Sequence, residues 1–110
     1  MLTEVYLEDY DKAWSIEPEC SDYFYKNGWY YLISRSQYWI SKAPFGPWTQ
    51  PQDCNVDCGV VPKMAFWNGG RIIFTGFLPQ NGYGGFLTFK EALQNSDGTL
   101  RFIPVKEMKV

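Results

Sequence analysis

One pattern occurs twice in this chain, and it constrains the fold more than any other. Tyr23-Phe24-Tyr25-Lys26-Asn27-Gly28-Trp29-Tyr30-Tyr31-Leu32-Ile33-Ser34 is an aromatic run, an Asn-Gly pair and a second apolar run. The arrangement returns 41 residues on, from Asn27 to Asn68, as Met64-Ala65-Phe66-Trp67-Asn68-Gly69-Gly70-Arg71-Ile72-Ile73-Phe74-Thr75. Asn and Gly tolerate the positive φ that both central positions of a type I′ turn need, and the twist of that turn matches antiparallel strands. Each copy therefore predicts a β-hairpin, and two copies at this spacing predict a repeat.

The flanking segments extend each copy. Gln37–Ser41 and Gly85–Phe89 read as third strands, the second of them followed by a short helical turn at Lys90–Gln94. Turn chemistry comes next, Pro44-Phe45-Gly46-Pro47 in one copy and Asn95-Ser96-Asp97-Gly98 in the other. Outer strands then follow at Trp48–Gln50 and Thr99–Ile103. Four antiparallel strands in about 40–45 residues is the size of a propeller blade. The expected fold is all-β: two four-stranded antiparallel β-propeller blades, about residues 20–51 and 61–105, in a single partial propeller domain over 1–110. Two hairpins in an unrelated sandwich are the plainer alternative. Known propellers close with about four to eight blades. Two blades leave strand edges and faces bare, so the expected partners are further copies of the chain or the other blades of a longer propeller.

Composition removes several function classes. The 110 residues carry a net charge of −2 with scattered Lys and Arg, which lacks the basic footprint of a nucleic-acid or membrane-surface binder. Apolar runs are too short to span a bilayer. Met1-Leu2-Thr3-Glu4 lacks the basic-then-apolar start of a signal peptide, so a cytoplasmic location is expected. With no histidine, Ser-His-Asp and Cys-His triads and histidine-bound zinc are excluded. Cys20, Cys54 and Cys58 are odd in number and fit no disulfide framework, and no fourth metal ligand suits their spacing. No metal or cofactor is expected. Enzymatic chemistry would fall to carboxylates, Lys, Tyr or a thiol.

Four segments, in order, resemble one family. Glu19-Cys20-Ser21-Asp22 ahead of Tyr23-Phe24 is similar to a Glu-Cys-Pro-Asp segment, and Ser41-Lys42-Ala43-Pro44-Phe45-Gly46-Pro47-Trp48 to a Ser-x-x-Pro-x-Gly-Pro-Trp stretch. Lys63 to Phe77 resembles a blade ending in Gly-Arg-Arg-Ile…Gly-Trp. Gly84–Leu93 with Asp97-Gly98-Thr99-Leu100 looks like a Leu-Pro-Arg-Glu-Leu…Asp-Gly-x-Leu ending. These are motifs of the five-bladed propeller glycosidases, β-fructosidases of glycoside hydrolase family 32 above all, and the likeness runs from about Trp14 to Glu107 and covers only the family's C-terminal blades.

The resemblance implies retaining hydrolysis of a fructosyl or similar glycosidic bond, with a carbohydrate as partner. Such chemistry uses two carboxyl groups about 5–5.5 Å apart, a nucleophile and an acid/base. Glu19 matches the acid/base, and Asp22, Trp39 and Lys63 are the candidate substrate contacts. A glutamic acid donates a proton near neutral pH only when its pKa is raised; Trp14, Tyr23 and Phe24 supply apolar neighbours, Glu17 and Asp22 negative charge. The family's Trp-x-Asn-Asp-Pro nucleophile motif and Arg-Asp-Pro stabiliser motif are absent from this sequence, and Ser21 replaces a proline. Asp57 and Glu91 stand at expected strand ends without a matching family role.

Two other functions compete with hydrolysis. A non-catalytic carbohydrate-binding module would stack sugars on surplus indoles such as Trp29, Trp39, Trp48 and Trp67. A self-assembling structural module would bury bare blade faces against copies of itself. Gly82-Tyr83-Gly84-Gly85 reads as a flexible rim loop and Val105–Val110 as a frayed strand end.

Overall fold

The computed structural model describes residues 20–80 and 83–108, and among them the chain is all-β with no α-helix. It divides into two compact units, Met1–Asn55 and Val56–Val110, at the join between the two repeats.

In the first unit β1 (Asp22–Lys26), β2 (Trp29–Ser34) and β3 (Gln37–Ser41) form an antiparallel sheet in chain order. Asn27 (φ 47) and Gly28 (φ 88) make the expected two-residue turn, with Lys26 opposite Trp29. Successive residues of a strand point to opposite faces. Tyr23, Leu32 and Trp39 therefore line one face as a cross-strand row, and Phe24, Tyr31 and Ile40 the other. Apolar residues on both faces leave no solvent side for most of the sheet. Trp48 closes over the first face and packs with Leu32, Trp39 and Tyr30. Each buried indole removes about 200 Å² from water, about 5 kcal/mol on area grounds before entropy is set against it.

The outer strand expected at Trp48–Gln50 is only partly formed. Thr49 and Ile40 exchange two backbone hydrogen bonds of 2.8 and 2.9 Å, and Tyr38 N donates to Cys54 O at 3.0 Å. Between these points the register jumps, from Ile40 opposite Thr49 to Gln37 opposite Asn55. Pro51 has no N–H to give a ladder, so the chain detours there and the first sheet keeps three strands rather than four.

The second unit has its four strands: β4 (Val60–Trp67), β5 (Arg71–Gln80), β6 (Tyr83–Gln94) and β7 (Leu100–Pro104), antiparallel in chain order. Ile72, Phe74, Ala92 and Leu100 are buried, and Phe102 meets Phe74 edge-on at 5.6 Å. Four sequence-based expectations change here, and the first is the rim loop at Gly82–Gly85, of which Tyr83, Gly84 and Gly85 open β6. Lys90–Gln94 is strand, not a helical turn, because it is paired on both sides, with Ile72–Phe74 and with Leu100–Pro104. Two neighbouring ladders outweigh the helix propensity of Lys, Glu, Ala and Leu. The second hairpin is not a type I′ turn: Gly70 adds a residue, and Asn68–Gly70 forms a 3₁₀ turn with positive φ at Gly69 and Gly70. The described part of the tail is not a frayed strand, since Lys106–Met108 forms another 3₁₀ turn behind buried Val105, and residues 109–110 lie outside the described residues.

The entry to β4 is irregular in two ways. The Cys58–Val60 backbone lies so close to Gly76 that a Cβ there would stand 1.9 Å from the Cys58 carbonyl oxygen. Between Val60 and Lys63 the pairing with β5 slips, and Val61 sits at φ 49, a strained conformation for a β-branched residue.

Candidate functional site

Glu19 lies outside the described residues, as do Trp14 and Glu17. Asp22 opens β1, and its Oδ1 accepts a hydrogen bond from Tyr23 N at 3.2 Å. Trp39 is 2% exposed, so its ring belongs to the core and is not open to a sugar. Asp22 pairs with Ile33 while Trp39 pairs with Leu32, which sets these two candidates on opposite faces of their sheet. Lys63 is exposed on β4, on the face shared by Ala65, Trp67, Arg71 and Thr75.

The surplus indoles separate sharply. Trp48 is fully buried, and Trp29 is half-buried with the Lys42 ammonium 4.0 Å above its ring. Trp67 is 44% exposed, with the Arg71 guanidinium 5.7 Å from its ring centre. Beside it stands a polar cluster centred on Arg71. Arg71 Nε and Nη2 donate to Glu91 Oε2 and Oε1 at 3.1 and 2.9 Å. Arg71 Nη1 and Nη2 donate to Glu107 Oε2 and Oε1 at 2.6 and 3.0 Å. The planar fork of an arginine suits two such forks of oxygen. One guanidinium thus joins the start of β5, the middle of β6 and the C-terminal 3₁₀ turn.

Electrostatics follows from the geometry. Hydrogen bonds from Arg71 hold the Glu107 carboxyl down to about 2 and keep Glu91 below the ordinary carboxylate range, against the opposing effect of burial. Both groups are ionised at neutral pH and neither is a proton donor there. Asp57 is likewise engaged, accepting from Lys90 Nζ at 3.1 Å. The candidate carboxylates Asp57 and Glu91 are thus paired with Lys90 and Arg71 respectively. Cys58 Sγ is enclosed, 3.4 Å from Phe74 O and from Thr88 Oγ1, and burial pushes its thiol pKa up.

A pH prediction arises from the Arg71 fork. A carboxyl depressed by folding adds stability above its unfolded value, and that stability is lost as pH falls through its folded value. For Glu107 the window runs from about 4.5 down to about 2. Denaturant titrations at pH 6 and pH 3 are expected to show a larger loss for the parent than for Glu107→Gln. Equal losses would remove Glu107 from the account.

Sequence reading missed this cluster because its members stand 20 and 36 residues apart. The signal available was Arg71 at the mouth of a hairpin beside Trp67. The chain matches no family model, no curated protein and no solved structure.

Proposed function

We propose that this chain is a propeller-type glycoside hydrolase portion, related to the β-fructosidases, in which Glu19 is the acid/base and the nucleophile comes from blades the chain does not contain. The observation that carries the reading is the strand order of both units. Each is an antiparallel meander in chain order with an Asn-Gly loop between its first two strands, the connectivity of a propeller blade. Glu19 precedes β1 with only Cys20 and Ser21 between, as in the motif it resembles. In this reading Glu19 protonates the leaving oxygen and later deprotonates water.

Complementation tests it. The chain mixed with a polypeptide supplying the missing blades is expected to hydrolyse sucrose, inulin and an aryl fructoside. Glu19→Gln is expected to lower the sucrose rate by roughly 10²- to 10⁴-fold. The loss should be much smaller on a nitrophenyl fructoside, whose leaving group departs without a proton. No rescue by any such partner, or equal losses on both substrates, would end the assignment.

A second reading, carbohydrate binding without catalysis, is favoured by one observation. Trp67 is the most exposed indole among the described residues, and it stands beside fixed polar groups.

A further inference from the structure

We infer that Trp67, Arg71, Glu91 and Glu107 form a binding site for a neutral saccharide that does not use Glu19. The inference rests on the carbohydrate reading of the chain but not on its hydrolytic one.

The strand register places the parts. Trp67 and Arg71 are directly paired at the β4–β5 turn, and Glu91 pairs with Ile73 on the same face. Glu107 reaches the group from the C-terminal 3₁₀ turn. The result is a partly exposed indole with the Arg71 guanidinium over one side of its ring and two carboxylates held by that guanidinium. Sugar sites need these two elements: an aromatic surface for the apolar C–H face of a pyranose or furanose, and oriented acceptors and donors for its hydroxyls. Arg71 spends four contacts on the two carboxylates, which leaves one Nη1 hydrogen uncommitted by them. Each carboxylate oxygen keeps lone pairs for hydroxyl donors. Because Arg71 fixes these groups before a ligand arrives, little ordering cost remains for binding.

Charge selects the ligand class. Arg71 is paired with both carboxylates, and Lys106 is the chain neighbour of Glu107 in the C-terminal turn, so two cationic and two anionic groups belong to these segments. An anion such as a phosphate meets two carboxylates, and a cation meets a guanidinium already in place. An uncharged polyhydroxyl ligand meets neither penalty. The side chains remain open at the surface, with Arg71 25% and Glu107 42% exposed.

Calorimetric titration of the full chain with an inulin-type fructo-oligosaccharide, an arabinan oligosaccharide and xylotetraose tests the site. At least one is expected to saturate, with a Kd of about 1 mM or tighter. Trp67→Ala is expected to weaken that binding at least tenfold and Trp67→Phe much less, while circular dichroism stays unchanged for both. Raising NaCl to 0.5 M should leave the affinity within twofold, because no net charge is exchanged. Glu19→Gln should leave the saturating titration within twofold, so this site and the Glu19 assignment stand or fall separately. Absence of saturation with all three probes overturns the proposal, as does binding indifferent to Trp67→Ala or weakened tenfold by salt. A change of oligomeric state in Trp67→Ala would overturn it in favour of a protein contact.

Discussion

Gly76→Ala is expected to destabilise the second unit by about 3 kcal/mol or more, at the upper end of overpacking effects. The added methyl would stand 1.9 Å from the Cys58 carbonyl oxygen and 3.0 Å from that of Val60. Both obstacles are backbone, so no rotamer change relieves them, and the Cys58–Val60 segment has to leave β5. That movement also breaks the contacts of Cys58 Sγ and the 3.0 Å hydrogen bond from Thr88 Oγ1 to Cys58 O. Gly69→Ala is the control. Gly69 has positive φ but open space around its Cβ position, so its cost is conformational, about 1 kcal/mol. Denaturation midpoints with unchanged slopes read the difference. If Gly76→Ala costs no more than Gly69→Ala, the close approach of β4 and β5 is wrong.

Trp48→Ala carries the second large effect, a loss of about 3–5 kcal/mol in the first unit. The indole is fully buried against Leu32 and Trp39, and Tyr23 meets it edge-on at 6.0 Å. Removing it opens a cavity under a segment that meets its sheet only at isolated bridges, Ile40 with Thr49 and Gln37 with Asn55. Trp48→Phe separates packing from polarity. The buried Nε1 has no hydrogen-bond acceptor among the described residues, so phenylalanine discards a donor whose burial is itself costly. The loss should then fall under about 1.5 kcal/mol. A Trp48→Ala protein within 1 kcal/mol of the parent would place Trp48 outside the core.

What the sequence made legible was local. Asn27-Gly28 sets its own turn through positive φ at two adjacent residues, so the first hairpin can be read from a dipeptide. Alternation fails as a guide in β2 and β3, where Tyr31-Leu32-Ile33 and Tyr38-Trp39-Ile40 are buried without a break. Such runs announce burial on both faces but not which face is covered by what. Trp39 and Trp48 therefore look alike in the sequence as sugar platforms and as core; only the row Tyr23–Leu32–Trp39 and the return of Thr49 decide for the core. Lys90–Gln94 misleads because its residues favour helix when alone, and two flanking strands are not visible from within five residues. The Arg71 fork was illegible for a related reason. Its geometry depends on a β-ladder and a C-terminal turn that converge only after folding. Of the candidate site, Asp22, Trp39 and Lys63 are placed by the strands, and they do not make one constellation within either unit; Glu19 lies beyond the described residues.

The unequal shelter of the thiols governs how the purified protein ages. None of the three cysteines is in a disulfide, Cys20 is exposed, and Cys58 is buried. Air and peroxide reach Cys20 first, and a sulfenic acid there condenses with a second molecule's thiol to give a covalent pair. Such a pair mimics self-association in a sizing column, so reductant belongs in every measurement of assembly, and a species that vanishes with it reports thiol chemistry and not an interface.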